Sequence, residues 1–227
     1  MTKAVLFDID GTLIDSNDAH ARAWVAALAE AGHEVPFERV RPLIGMGGDR
    51  VLPALVPGLS DDTEPGKTIT KRRLEIFKER ELAGLRPTNG ARELLEAVRE
   101  RGARVVMATS AKKAELDDLL AVGNFGPLVD VASTSDDAEE SKPAPDIVTA
   151  ALKKGGVEAP DAVMVGDTKY DIEAAHKAGV ACVGLLCGGN PRETLREAEA
   201  AYSDPAELAG ALGRPPFAFS RAASTAP

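Results

Sequence analysis

Four short stretches carry residues able to do chemistry together. They are Asp8-Ile9-Asp10-Gly11-Thr12, Thr109-Ser110, Lys142-Pro143 and Gly166-Asp167-Thr168-Lys169-Tyr170-Asp171. Among them are four carboxylates, the lysine Lys142 and the hydroxyls of Thr109 and Ser110. Carboxylates held close together raise each other's pKa or require a cation. A hard divalent ion resolves the repulsion, and Mg²⁺ commonly takes one or two carboxylates plus phosphate and water. A carboxylate can attack a phosphoryl group and become an aspartyl phosphate. An acid two residues further on faces the same site across the turn; it can protonate a leaving oxygen and then activate water. A lysine, a hydroxyl and backbone N–H groups in the Gly11 and Ser110 turns would hold the phosphate oxygens that do not react. One such Asp alone would read as a helix cap; four at strand ends, each beside a threonine or glycine turn, do not.

The elements that must position these groups follow from hydrophobic patterning. Ala4–Phe7 is a short apolar run, read as a buried parallel strand that stops at Asp8. Residues 17–31 read as a helix capped by Ser16 or Asn17, with Ala23, Trp24, Ala27, Leu28 and Ala31 as its apolar stripe and Gly32 at its end. From Pro36 to about Leu85 prolines break the chain and no strand emerges, although a helical pattern runs from about Thr68 to Leu82. Helices and strands alternate thereafter: helices at 91–101, 112–122, 145–154 and 171–178, strands at 104–108, 128–132, 162–165 and 181–186. Final helices are expected at 191–200 and 205–212, and a poorly ordered tail from Pro215. The alternation predicts an α/β fold with a doubly wound, Rossmann-like parallel sheet covered on both faces. In such a sheet the strand ends, where the acidic stretches fall, are where ligands bind.

Composition narrows the function. The 227 residues carry 27 Lys+Arg against 36 Asp+Glu, a formal charge of −9, which argues against a nucleic-acid binder. Aromatic residues are 4% of the chain, too few for base-stacking platforms. The longest apolar run, 178–187, falls well short of the roughly 18 residues of a membrane span. Acid arrives within eight residues of the start, so no signal peptide is expected and the default location is the cytoplasm. Cys182 and Cys187 read as packing residues rather than as a disulfide or zinc site.

FDIDGTL at 7–13, a strand ending in Thr109, KPAPDI at 142–147 and GDTKYD at 166–171 resemble, in order, the four motifs of the haloacid dehalogenase superfamily. The resemblance spans about residues 1–212 and lies with the phosphoglycolate phosphatase and beta-phosphoglucomutase branch. It implies that Asp8 is the nucleophile and Asp10 the general acid and base, that Thr109 and Lys142 bind phosphate with help from the N–H of Ser110, and that Asp8, the backbone carbonyl of Asp10 and Asp167 hold Mg²⁺. Asp171 would support the metal site. The segment 16–85 would be a helical cap domain, and 1–15 with 86–214 the α/β core. The implied activity is Mg²⁺-dependent hydrolysis of a small phosphorylated metabolite by a monomer or homodimer, without nucleic acid or membrane partners.

Asp10 argues for phosphate esters, because the dehalogenating branch of the family lacks this second acid. A sugar-phosphate mutase and a non-catalytic phosphate-binding protein are the rival readings. The mutase pattern is incomplete: Gly48 stands where its cap arginine is expected, and Arg50, two residues on, points elsewhere on a helix. His20, one turn before Trp24, is a candidate for substrate contact or for reporting cap closure. The stretch Gly45-Met46-Gly47-Gly48-Asp49-Arg50 opens a helix at 49–55; its glycines let backbone approach a ligand, and it is the expected site of substrate discrimination.

Overall fold

A computed structural model describes residues 1–219. In chain order the elements are β1 (Ala4–Phe7), α1 (Asn17–Glu30), α2 (Phe37–Val40), α3 (Gly48–Leu55), α4 (Gly66–Ile76), α5 (Ala91–Glu100), β2 (Arg104–Ala108), α6 (Lys113–Gly123), β3 (Val131–Ser133), α7 (Asp146–Gly155), β4 (Ala162–Gly166), α8 (Lys169–Lys177), β5 (Ala181–Leu185), β6 (Ala200–Tyr202) and α9 (Pro205–Ala211).

All four residues of β1 are fully buried, as a strand covered on both faces requires. The six strands form one parallel sheet in the order β3-β2-β1-β4-β5-β6. The direction of winding reverses between β1 and β4, which opens a crevice beyond their C-terminal ends. Register makes that crevice exact: Phe7 pairs with Met107 on one side and Val165 on the other. Asp8 and Asp167 therefore emerge from adjacent strands at nearly the same level.

The segment between β1 and α5 is helical, as expected. Its apolar residues Trp24, Leu28, Leu52, Ile76 and Phe77 join the cluster that contains Val5, Phe7 and Leu94 of the sheet side. α1 packs along α4, burying Ala19, Ala23, Trp24 and Ala27, whereas Ala31 is exposed.

Several expectations are corrected. The helix expected from Thr68 to Leu82 ends at Ile76 and continues as a π turn, Phe77–Glu81, and a 3₁₀ turn, Leu82–Gly84. The expected strand at 128–132 starts only at Val131, after a 3₁₀ turn at Gly126–Leu128. The helix expected over 191–200 is a 3₁₀ turn at Arg192–Leu195 followed by strand β6, whose Ala200 pairs with Val183. A free sheet edge outcompeted the helical propensity of the charged segment. Residues 215–219 are not loose: Phe217 is buried, and Thr2 and Ala218 exchange hydrogen bonds. The rest of the expected tail lies outside the described residues. Among the described residues no helix is long and apolar enough to cross a membrane.

Candidate active site

β1 delivers Asp8 into the crevice, its N–H donating to Val165 O at 2.9 Å. The chain then turns sharply at Gly11, whose φ is +70°. A Cβ there would come within 2.4 Å of Asp167 Oδ2, so only glycine allows the β1 turn to lie against the end of β4. Lys142 reaches the same point from the loop before α7. Its fully buried ammonium donates to Asp8 Oδ1 at 2.7 Å and to Asp171 Oδ1 at 2.8 Å. Burial disfavours the charged amine, but the two carboxylates outweigh it and hold the lysine's pKa above its ordinary value.

Asp171 is also fully buried. Its Oδ2 accepts from the N–H of Thr168 at 3.0 Å and from Thr168 Oγ1 at 2.6 Å, closing a capping box at the start of α8. Asp167 Oδ2 accepts from Asn17 Nδ2 at 2.7 Å and from Asn190 Nδ2 at 3.0 Å. Thr12 Oγ1 lies at 3.4 Å from Asp167 Oδ1.

Asp8, Asp167 and Asp171 present oxygens within 4.8 Å of one another. Burial raises the carboxyl of Asp8 well above its ordinary pKa; Lys142 offsets this in part, while Asp171, Asp10 and Asp167 add to it. Asp167 is pushed up to about 7, by burial first and by Asp171 next. Three buried acids thus face one lysine. A divalent cation would remove this imbalance, and an all-oxygen donor set suits Mg²⁺, so the residues fit the ion.

Asp10 stands in a different environment. Its Oδ1 accepts from Ser16 Oγ at 2.5 Å and lies 2.6 Å from His20 Nε2. Burial alone would raise its pKa, but His20, Ser16 and Arg73 overcome that and lower it. His20 is buried and stacks on Phe77 with ring centroids 4.1 Å apart. Its Nδ1 lies 3.2 Å from Arg73 and 3.6 Å from Glu115 Oε1. Arg73, on α4, also lies over the Trp24 ring and pairs at 2.6 Å with Glu115 on α6.

Above these groups lies a cavity of about 630 Å³. Asp8, Asp10, His20 and Arg73 line its floor side; Gly45, Met46, Gly47 and Gly48 line another wall, with Lys67, Lys71 and Lys112 at its margin. Thr109 and Ser110 line it too. Thr109 Oγ1 accepts from Ala111 N–H at 3.0 Å, and Ser110 Oγ lies 3.5 Å from Gly45 O. Arg50 is not among the lining residues. It turns to the 140–141 segment, donating to Ser141 O at 3.1 Å and pairing with Glu140 at 2.7 Å. Its position in the first turn of α3 carries it away from the cavity.

The profile described as haloacid dehalogenase-like hydrolase matches residues 5–185. The chain belongs to this family. A phosphoglycolate phosphatase of Rhodospirillum rubrum is 35% identical over 228 residues, covering 95% of this chain and 92% of the relative. Among solved structures, a hydrolase from Pseudomonas syringae superposes with a TM-score of 0.86 at 30% identity, covering 94% of this chain and 98% of that one. CbbY of Rhodobacter sphaeroides, solved with phosphate, gives a TM-score of 0.79 at 26% identity and covers 92% and 96%. The protein is accordingly an enzyme of the phosphatase type.

Sequence reasoning brought Asp8, Asp10, Thr109, Ser110, Lys142, Asp167 and Asp171 to one crevice, and the structure gathers them there. It missed Asn17, Asn190, Arg73 and Glu115. Asn17 was read as a helix cap, but its amide is spent on Asp167 and on Gly188 O. Ser16, the alternative cap, makes no capping hydrogen bond and serves Asp10 instead. A buried Glu in the first turn of α6 carries no local signal, since acids are common there.

Proposed function

We propose that this hydrolase cleaves a small phosphate monoester, of the phosphoglycolate or sugar-phosphate type, by way of an aspartyl phosphate on Asp8, with Mg²⁺ as cofactor. The carrying observation is the pair of unlike carboxyls two residues apart. Asp8 is held by Lys142 among other acids, and Asp10 by Ser16 and His20. Different partners hold the two acids in separate positions, Asp8 among the groups that would take the cation and Asp10 on Ser16 and His20, which suits them to separate roles.

Asp8 attacks phosphorus, and the ester oxygen departs toward Asp10. The arriving phosphate dianion raises the proton affinity of Asp10, which equips it to donate to the leaving alkoxide. Once the alcohol has left, Asp10 is again a carboxylate; Ser16 and His20 stabilise that state, and it takes a proton from water attacking the aspartyl phosphate. Lys142, Thr109 and the N–H of Ser110 orient the phosphoryl oxygens. Asp8, Asp167 and the carbonyl of Asp10 would hold Mg²⁺, with Asp171 fixing Lys142 beside them. When bound, the ion neutralises charge on the phosphoryl group and lets Asp8 act as an anion. The helical segment 16–85 acts as a cap that shuts water out of the cavity.

Relatives named phosphoglycolate phosphatase, and the phosphate held by CbbY, support a phosphorylated small molecule as substrate. Arg50, paired with Glu140 outside the cavity lining, does not stand in for the mutase's cap-loop arginine. The test is phosphate release from phosphoglycolate, glycerol phosphates, sugar phosphates and nucleotides, with and without Mg²⁺. Mg²⁺-dependent release that Asp8→Asn abolishes, in a variant that stays folded, is the expected result. Full activity in Asp8→Asn overturns the nucleophile. Isomerisation of a hexose 1-phosphate without release would instead mark a mutase.

A further inference from the structure

Asp167 has two carboxylate oxygens in unequal surroundings. Oδ2 receives two amide donors, Asn17 Nδ2 at 2.7 Å and Asn190 Nδ2 at 3.0 Å, while among the described residues Oδ1 has only the long 3.4 Å approach of Thr12. The two asparagines come from opposite ends of the chain. Asn17 begins α1, the first helix after the β1 turn, and Asn190 lies in the loop after β5. Asn17 is nearly fully buried, with 2% exposure.

Its orientation is forced. The amide nitrogen meets two acceptors, Asp167 Oδ2 and Gly188 O, the latter at 3.0 Å. Exchanging N and O would set oxygen against oxygen twice. The remaining Asn17 Oδ1 is buried and has no partner among the described residues. A buried unpaired acceptor beside a carboxylate cluster is costly unless a donor arrives. The backbone is drawn tightly around the same carboxylate: a Cβ on Gly188 would lie 1.8 Å from Asp167 Oδ2.

We infer that Asn17 and Asn190 are positioning residues for the cation: they clamp Oδ2 of Asp167 so that Oδ1 is presented to Mg²⁺, and Asn17 Oδ1 would accept a hydrogen bond from the ion's hydration water. The inference rests on the Mg²⁺ reading given above. It adds that α1, the leading helix of the cap, touches the metal centre directly, so cation affinity depends on how that helix is seated. Groups that orient metal ligands are worth roughly 10–100-fold in metal affinity.

Calorimetric titration of Mg²⁺ into the metal-free full-length protein tests this without substrate. Asn17→Ala and Asn190→Ala are each expected to weaken Mg²⁺ binding about tenfold or more, with an unliganded melting temperature near that of the wild type. The double variant should lose less than the product of the single losses, because both amides serve one oxygen. If Asn17→Ala does not fold, Asn190→Ala, on a half-buried loop, carries the test. Wild-type Mg²⁺ affinity in a folded Asn190→Ala overturns the clamp, as does strictly multiplicative loss in the double variant. If the wild type itself binds no Mg²⁺, the cofactor reading fails and the clamp falls with it.

Discussion

Replacing Lys142 by methionine isolates the electrostatic core of the site. Methionine fills much of the same volume, so the change removes chiefly the ammonium. Two buried carboxylates, Asp8 and Asp171, then lose a partner at 2.7 and 2.8 Å. Breaking a buried pair by deleting one member costs about 3–5 kcal/mol, because the other charge is left uncompensated. For a chain of this length that corresponds to a melting temperature lower by roughly 6–20 °C. The loss must depend on pH. Lys142 has a raised folded pKa, so its contribution is complete below its unfolded pKa of about 10.4 and would fade only as pH rises through the higher folded value. Without it, the folded pKa of Asp8, already raised by burial, rises further. The penalty is then larger at high pH and eases as pH falls through that raised value and the carboxyl takes up a proton. Urea unfolding of wild type and Lys142→Met at pH 8 and pH 5.5 measures the difference directly. A loss below about 1 kcal/mol at pH 8, or one that does not change with pH, would refute the reasoning.

Other outcomes follow from single positions. Gly66→Ala should destabilise by about 1–3 kcal/mol, since a Cβ would stand 1.9 Å from the carbonyl oxygen of Ser60, whereas Gly84→Ala, with open space around it, should be neutral or slightly stabilising in the same thermal melt. Cys187, raised to about 12 chiefly by burial and then by Asp167, should be a thiolate to only about 10⁻⁴ at pH 8, so native protein should resist iodoacetamide while a free thiol such as glutathione reacts. Rapid modification of native Cys187 would contradict its placement. Asp204 caps α9 through Glu207 N–H at 2.9 Å and accepts from Asn89 at 2.9 Å. Asp204→Ala should cost about 1 kcal/mol at pH 7. Because Asn89 and the Glu207 amide lower its pKa, that cost is present above about pH 3.9 and disappears as pH falls through the folded value, which melts of both proteins at pH 7 and pH 3.5 would reveal.

The buried strands were legible because a central parallel strand needs four or five apolar residues in a row, and Ala4–Phe7, Arg104–Ala108 and Ala162–Gly166 come close to that. β6 was not, because Ala-Ala-Tyr carries no strand pattern of its own; pairing with Val183–Leu185 makes it a strand. Helix α4 was overextended across Phe77–Glu81 because helical spacing continues there, while the observed π turn brings Phe77 under His20.

By itself the amino-acid order determined the acids that follow β1 and β4, the glycine that lets the first turn fold tightly, and the strandless insertion between β1 and α5. These are properties of a few neighbouring residues and survive in any local reading. Tertiary structure alone decided which of those groups hold one another. Lys142 finds Asp8 across 134 positions, Asn17 finds Asp167 across 150, and Arg73 finds Glu115 across 42. Such partners share no local pattern, because hydrogen bonds and ion pairs depend on distance in space, and only the closed sheet with its covering helices sets those distances.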